Sequence, residues 1–126
     1  MEIAVHALDP AQRRPKPQDE KNLVFGRVFS DHMFMMDFIR GKGWVDARVV
    51  PYQDLVMDPA AMVLHYGQGI FEGLKAYRWS DDKICAFRCD QNWNRWNRSA
   101  RRMCMPEIDP AIMQQGLEEL LRLDKD

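Results

Sequence analysis

Five arginines are concentrated between residues 88 and 102, where Asp90 is the one acidic residue. Arg95, Arg98 and Arg102 are three and four positions apart, a spacing that places side chains on one face of an α-helix. A guanidinium donates two parallel hydrogen bonds to a phosphate or a carboxylate, so such a face suits an anionic ligand. The more ordinary interpretation is a solvated face that forms salt bridges with the acidic residues 107–126. The spacing alone leaves both interpretations open.

Tryptophans alternate with these arginines, which suggests a surface on which the bases of single-stranded RNA could stack. However, Trp93 and Trp96 share the opposite, apolar face of the predicted helix, and core packing accounts for them better. The chain has 18 basic and 19 acidic residues and a formal net charge of −1. This balance argues against a general electrostatic attraction to nucleic acid or to a membrane.

The glycine-rich segment 65–75 brings a histidine and a glutamate, His65 and Glu72, into one short stretch. Such a pair could transfer a proton, but a lone histidine beside apolar residues is more often a hydrogen-bonded core group. The glycine spacing in this segment differs from that of a dinucleotide-binding loop. Elsewhere in the sequence, no serine, cysteine or threonine has the surroundings of an activated nucleophile. The histidines are too scattered to predict a metal site: His6, His32 and His65. We therefore predict no catalytic residue and no metal ligand in this chain.

The cysteines are odd in number and lack the spacing of metal ligands: Cys85, Cys89 and Cys104. They predict reduced thiols and a cytoplasmic protein. No apolar run approaches the roughly 18 residues of a membrane span, and the first ten residues lack a signal-peptide pattern. A length of 126 residues suits about one domain.

The elements that must position the arginines follow from turn and cap signals. Residues 1–22 are charged and punctuated by proline, which predicts an extended arm that is either docked on the domain or free. Residues 32–39 and 44–52 flank a glycine turn and predict a β-hairpin, and a second hairpin is predicted around residues 80–82. Two helices follow, the first capped by Asp90 and the second by Asp109. Strands followed by helices indicate an α+β class.

The segment from Leu64 to Arg78, which reads LHYGQGIFEGLKAYR, resembles part of the branched-chain aminotransferases, pyridoxal-phosphate enzymes of fold type IV. Three further segments match that family in order: FGRVFSDHM from Phe25, the pairs Gly43-Trp44 and Pro51-Tyr52, and FR at 87–88 followed by NWNR at 92–95 and RSA at 98–100. The resemblance begins near Asn22 and implies the small N-terminal domain, an antiparallel sheet with flanking helices, in residues 23–126. The long arm favours the branch with extended N-termini over the D-amino-acid aminotransferases.

The resemblance implies roles for individual residues. Arg95 matches the arginine that binds the phosphate of pyridoxal 5'-phosphate, which would give the arginine face its purpose. Phe25, Tyr66 and Phe71 match the walls of the pocket for leucine, isoleucine and valine side chains, and Tyr66 would reach across a homodimer into the neighbouring site. Glu72, Gly73 and Lys75 belong to the motif with supporting roles only.

In this family the lysine that bonds covalently to the cofactor lies in a large C-terminal domain, beyond Asp126. We therefore expect the chain to be an incomplete small domain that does not transfer amino groups from branched-chain amino acids to 2-oxoglutarate by itself. An alternative is a non-catalytic relic that pairs with itself or with a complete aminotransferase, without nucleic acid or membrane as a partner.

Overall fold

The computed structural model describes residues 1–125, so Asp126, the last residue of the predicted domain 23–126, lies outside the described residues. Within them are five β-strands and three α-helices, with strands preceding helices along most of the chain. The predicted α+β class is confirmed. The described residues form two compact units, one of Met1–Gln53 with residues 116–125 and the other of Asp54–Gln115.

The first unit is built on the predicted hairpin of β2, His32–Ile39, and β3, Gly43–Pro51. The strands pair antiparallel, with Phe38 opposite Trp44 and their rings in an edge contact at 5.3 Å between centroids. The glycines of the turn adopt positive φ angles, +86° at Gly41 and +85° at Gly43, which side-chain-bearing residues rarely adopt. The hairpin prediction is therefore confirmed together with the reason for its turn.

The N-terminal segment is docked on this sheet at residues 4–6. Strand β1, Ala4–Val5, pairs parallel with β3, so the strand order is β1-β3-β2. His6 continues the pairing, because its backbone N–H donates to the carbonyl of Val49 at 2.9 Å. Of the two arrangements considered for residues 1–22, the docked one holds at this point.

A buried histidine connects three segments of the first unit. His32 is 1% exposed, and its Nε2 accepts the backbone N–H of Leu8 at 2.9 Å. Its Nδ1 lies 2.6 Å from Oδ1 of Asp124, while Oδ2 of Asp124 accepts the backbone N–H of His32 at 3.0 Å. Since Nε2 accepts, the imidazole proton resides on Nδ1 and is donated to the carboxylate.

Helix α3, Pro110–Asp124, begins as the sequence predicted. Oδ1 of Asp109 accepts the N–H of Ala111 at 2.9 Å, and proline occupies the first helical position. Within the first unit, the buried Gly116 of this helix lies against the ring of Phe34: a Cβ added at Gly116 would stand 2.7 Å from two ring carbons. Glycine is what lets this ring pack on the helix backbone.

The second unit contains α1, Met62–Tyr66, the predicted hairpin of β4, Ala76–Arg78, and β5, Ile84–Ala86, and then α2, Cys89–Arg102. The predicted N-cap of α2 was wrong. Arg88 occupies that position in the left-handed conformation, φ +52°, and Asp90 lies inside the first turn. There its carboxylate still interacts favourably with the positive end of the helix dipole.

The core of the second unit lies along one side of α2. Trp93 and Ala100 are buried together with Ile108 and Ile112. Asn97 fixes the connection that follows the helix, since its Nδ2 donates to the carbonyl of Ile108 at 2.8 Å and its Oδ1 accepts the N–H of Ile108 at 2.9 Å. No helix formed by residues 1–125 is long and apolar enough to cross a membrane.

Candidate anion-binding site

The two faces of α2 differ as the spacing predicted. Trp93 is buried and its Nε1 donates to Oε1 of Gln114 at 3.2 Å, so its indole packs in the core and is closed to a stacking base. Arg95, Arg98 and Arg102 lie on exposed positions of the same helix. The arginine face is therefore the side of α2 that a ligand can reach.

Arg95 is held by a carboxylate. Its Nε donates to Oε1 of Glu72 at 2.8 Å and its Nη2 to Oε2 at 2.7 Å, a bidentate pair. The Glu72 side chain is 12% exposed and the Arg95 side chain 52%. The hydrogen bonds from Arg95 lower the pKa of Glu72 to about 2 against the opposing effect of burial, and the same pair raises the pKa of Arg95. Both groups are therefore charged at neutral pH.

Asn92, which lies one turn before Arg95 on α2, also contacts Glu72. Its Nδ2 donates to Oε2 of Glu72 at 2.7 Å and to the carbonyl of Gly73 at 2.9 Å, and the residue is 7% exposed. Both amide protons of this buried side chain are thereby used. The family motif predicts only a supporting role for Glu72, and Asn92 was not predicted as a site residue. A signal was present, because Asn92 and Arg95 are three residues apart and share a helical face.

An open cavity of about 440 Å³ lies beside the Arg95 side chain. Three guanidiniums and three amides line it, and no carboxylate does. Its lining consists of Phe87, Arg88, Gln91, Asn92, Asn94, Arg95 and Arg98. Arg88 lines it from the strained N-cap position, a conformation that costs a non-glycine residue on the order of 1–2 kcal/mol. We call this depression the arginine cavity.

A second open cavity of about 430 Å³ adjoins the end of α2. It is lined by Gly69, Ile70, Phe71, Arg98, Ser99, Arg102 and Met103. Arg98 lines both cavities. The cavity beside Arg95 and the cavity beside Phe71 are therefore neighbours that share this residue.

The two other residues predicted to line the substrate pocket are Tyr66 and Phe25. Tyr66, the last residue of α1, is exposed in the same unit as Phe71, and the helix stops after it because Gly67 turns left-handed, φ +61°. Phe25 is exposed and belongs to the other compact unit. The structure thus places Arg95 and Phe71 on cavities that share Arg98, and it places neither Tyr66 nor Phe25 in the lining of these two cavities.

His65 is hydrogen-bonded, as predicted, but its side chain is exposed, so the prediction of a core group was wrong. Its Nε2 lies 2.6 Å from the carbonyl of Pro59 and donates to it. Within the described part of the chain, no three histidine, cysteine, aspartate or glutamate side chains come together to hold a metal ion. In the arginine cavity the titratable lining groups are all guanidiniums, which stay protonated. This site can bind and orient an anion, but its lining cannot move a proton.

Curated proteins of one class are similar to this chain. No family model matches the chain. The chain is 54% identical over 114 residues, 90% of its length, to branched-chain-amino-acid aminotransferase 2 of Bacillus subtilis, of which it covers 31%. It is 43% identical over 121 residues to the branched-chain-amino-acid aminotransferase of Mycobacterium tuberculosis, covering 33% of it. It is 44% identical over 114 residues to the cytosolic branched-chain-amino-acid aminotransferase of Saccharomyces cerevisiae, covering 30%.

The chain therefore spans about a third of the length of the curated relatives that it matches. The resemblance predicted from the motifs is confirmed: over about nine-tenths of its length the chain is similar to an N-terminal portion of branched-chain aminotransferases.

Proposed function

We propose that this chain is the N-terminal portion of a branched-chain-amino-acid transaminase of fold type IV and that it supplies part of the cofactor-binding site. The whole enzyme would transfer the amino group of leucine, isoleucine or valine to 2-oxoglutarate. The observation that carries the proposal is the 54% identity over 114 residues to an aminotransferase of that class, in a chain whose Arg95 lines an arginine cavity. Within this proposal residues 1–22 are an N-terminal arm and residues 23–126 belong to the small domain.

The donor set of the arginine cavity fits the phosphate of pyridoxal 5'-phosphate. Arg88, Arg95 and Arg98 contribute three positive charges, and the Glu72 carboxylate paired with Arg95 removes one, which leaves a net charge of +2. A phosphate monoester carries about −1.5 to −2 at neutral pH. When bound, pyridoxal 5'-phosphate supplies an electron-accepting ring for amino-group transfer. Arg95 would hold its phosphate, supported by the other two arginines.

Phe25, Tyr66 and Phe71 are proposed to enclose the aliphatic side chain of the substrate. All three rings are exposed in the chain, as expected for surfaces that a further part of the enzyme or a ligand covers. Each methylene that such an enclosure buries contributes about 0.8 kcal/mol to binding. The proposal includes a homodimer, in which Tyr66 reaches the neighbouring site, and a cytoplasmic location.

We also propose that these 126 residues do not catalyse the transfer by themselves. The lining of the arginine cavity offers N–H donors and no group that exchanges a proton near neutral pH. Lys75, the lysine of the glycine-rich motif, is not the residue that matches the cofactor-bearing lysine of the family. The chain therefore contributes binding groups, and its activity depends on residues outside it.

Two measurements on the 126-residue chain test this proposal. The first is binding of pyridoxine 5'-phosphate, which lacks the reactive aldehyde and cannot attach to surface lysines, against pyridoxine, which lacks the phosphate. We expect saturable binding of the phosphate ester alone, and equal affinities for the two compounds would refute a phosphate site. The second is glutamate formation from leucine and 2-oxoglutarate with added pyridoxal 5'-phosphate, which we expect to be absent. Turnover at an enzymatic rate would contradict the proposed inactivity.

A second candidate function is that of a non-catalytic interaction module. Exposed apolar side chains on and near α1 favour it: Leu55, Val56, Met57, Met62, Val63 and Leu64. Where such side chains form one contiguous patch, the patch marks an interaction surface in a soluble protein. Sedimentation velocity across a concentration series distinguishes the two functions when it is combined with the phosphate assay. Self-association without phosphate binding would favour the module, and phosphate binding favours the enzyme portion.

A further inference from the structure

We infer that Glu72 is a positioning residue for the anion site: it fixes the guanidinium plane of Arg95 so that the remaining donors of Arg95 serve a ligand in the arginine cavity. This inference rests on the proposed phosphate site and deepens it. It assigns Glu72 a function through Arg95, without contact between Glu72 and the ligand.

The contact between the two side chains is of the kind that fixes an orientation. Two hydrogen bonds from Nε and Nη2 hold the guanidinium along one edge, which defines both its position and its plane. Nη1 and the second proton of Nη2 take no part in this bidentate pair. They are the donors that Arg95 can offer to an anion in the cavity that it lines.

Glu72 is itself held firmly enough to serve as an anchor. Its carboxylate is largely buried, and Oε2 accepts a second hydrogen bond from the buried Asn92 amide. Asn92 is fixed in turn by its bond to the carbonyl of Gly73, the residue that follows Glu72. Arg95 is half-exposed and has a long flexible side chain, so without this anchor its guanidinium would sample several rotamers.

Charge and positioning predict opposite effects when Glu72 is neutralised. By charge alone, removal of the carboxylate raises the net charge of the site from +2 to +3 and would strengthen phosphate binding. By positioning, the loss of the charged bidentate partner frees the Arg95 side chain and weakens binding. The direction of the change in affinity therefore decides between the two roles.

The test compares E72Q with the unmodified chain by titration with pyridoxine 5'-phosphate. We expect E72Q to bind the ligand at least fivefold more weakly, and E72D, which keeps the charge on a shorter side chain, to be intermediate. The matched control is E107Q, which neutralises the carboxylate partner of Arg101 on the same helix, outside both cavities. It should leave the affinity unchanged. Equal or tighter binding by E72Q would overturn the inference.

A spectroscopic measurement keeps the test independent of the ligand and of global stability. In ¹H–¹⁵N NMR spectra, we expect the Arg95 Nε–H to give a resolved, slowly exchanging signal that becomes averaged in E72Q and is retained in E107Q. If the unmodified chain fails to bind pyridoxine 5'-phosphate, the proposed phosphate site is wrong, while this signal still reports whether Glu72 fixes the guanidinium. An averaged signal in the unmodified chain would refute the positioning role itself.

If E72Q does not fold, R95K provides the second variant, since lysine keeps the charge but cannot form the bidentate pair. Positioning by Glu72 predicts that R95K weakens phosphate binding severalfold. An affinity of R95K equal to that of the unmodified chain would show that the geometry of the pair is irrelevant to binding.

Discussion

The imidazole of His32 and the carboxylate of Asp124 meet at 2.6 Å although 92 positions separate them in the chain. Asp124 accepts from both the ring and the backbone N–H of His32, and the other ring nitrogen accepts the N–H of Leu8. Strand β2, the end of α3 and the N-terminal segment are thus joined through one buried side chain. Since buried polar groups are costly when unpaired, this junction should contribute much of the stability of the first unit.

Replacement of Asp124 by alanine should destabilise the protein substantially. It leaves the Nδ1–H and the backbone N–H of the buried His32 without their acceptor, a loss of about 2–6 kcal/mol if each unpaired donor costs 1–3 kcal/mol. Urea denaturation followed by circular dichroism measures the change. Asp37→Ala serves as the control, because the Asp37 side chain is about half exposed and Arg48 keeps Asp46 as a second partner, so the loss should be less than about 1 kcal/mol. Similar losses for the two variants would contradict the importance of the junction.

Gly116→Ala should destabilise the protein, although alanine is normally preferred over glycine inside a helix by about 1 kcal/mol. The new Cβ would lie 2.7 Å from the ring of Phe34, and overpacking of this kind costs about 1–3 kcal/mol. Thermal unfolding of the single variant and of the double variant with Phe34→Leu tests the cause. The smaller leucine side chain at position 34 should restore most of the stability lost in Gly116→Ala. A double variant as unstable as Gly116→Ala would show that contact with the Phe34 ring is not the cause of the loss.

The Glu72 carboxylate should make stability depend on pH in the acidic range. Its pKa is lowered to about 2 in the folded chain, from an ordinary value near 4.5 in the unfolded one. A depressed pKa gives stability that is present above the unfolded pKa and is lost as the pH falls from about 4.5 towards 2. Denaturation midpoints measured from pH 6 to pH 2 should therefore fall more steeply for the unmodified chain than for E72Q. Parallel curves for the two proteins would contradict this assignment.

Arg95→Ala should weaken binding of pyridoxine 5'-phosphate about 10- to 100-fold, since a hydrogen bond to a charged group contributes about 1.5–3 kcal/mol. Isothermal titration at low ionic strength measures this effect. Arg101→Ala is the control on the same helix, because Arg101 pairs with Glu107 and lines neither cavity. A comparable loss with Arg101→Ala would show that the general charge of the helix, and not the cavity, attracts the phosphate.

Arg88→Gly should raise stability while it lowers affinity for phosphate. Glycine accepts the left-handed conformation at φ +52° without strain, which should stabilise the protein by about 0.5–1 kcal/mol after the entropy of the unfolded glycine is subtracted. The same change removes one of the three guanidiniums of the arginine cavity. Denaturation and phosphate titration of one preparation test both effects. Unchanged phosphate affinity would exclude Arg88 from the site.

Local features of this chain were predictable because neighbouring residues determine them. Glycine turns predicted both hairpins, the Asp109-Pro110 pair predicted the start of α3, and helical spacing placed the tryptophans and the arginines on opposite faces of α2. The family motif predicted a phosphate-binding role for Arg95, and this role stays a prediction. These signals all act within a few residues.

The features that could not be predicted are contacts between residues that lie far apart in the sequence. The Glu72–Arg95 pair joins residues 23 positions apart, and no periodicity within one segment encodes such a contact. The close fit of Gly116 to Phe34 arises only when a strand and a helix pack together. The N-cap was misassigned for a different reason: Asp90 has the better capping side chain, but the chain enters α2 through a left-handed Arg88, which local propensity disfavours.

The parallel pairing of β1 with β3 has a practical consequence for handling the protein. Residues 4–6 cover backbone groups of β3 around Val49 that would otherwise be free to pair with another chain. Uncovered strand edges promote edge-to-edge aggregation. Removal of the first eight residues, or a bulky fusion that displaces them, should therefore lower the solubility of the purified protein, and affinity tags are better attached elsewhere.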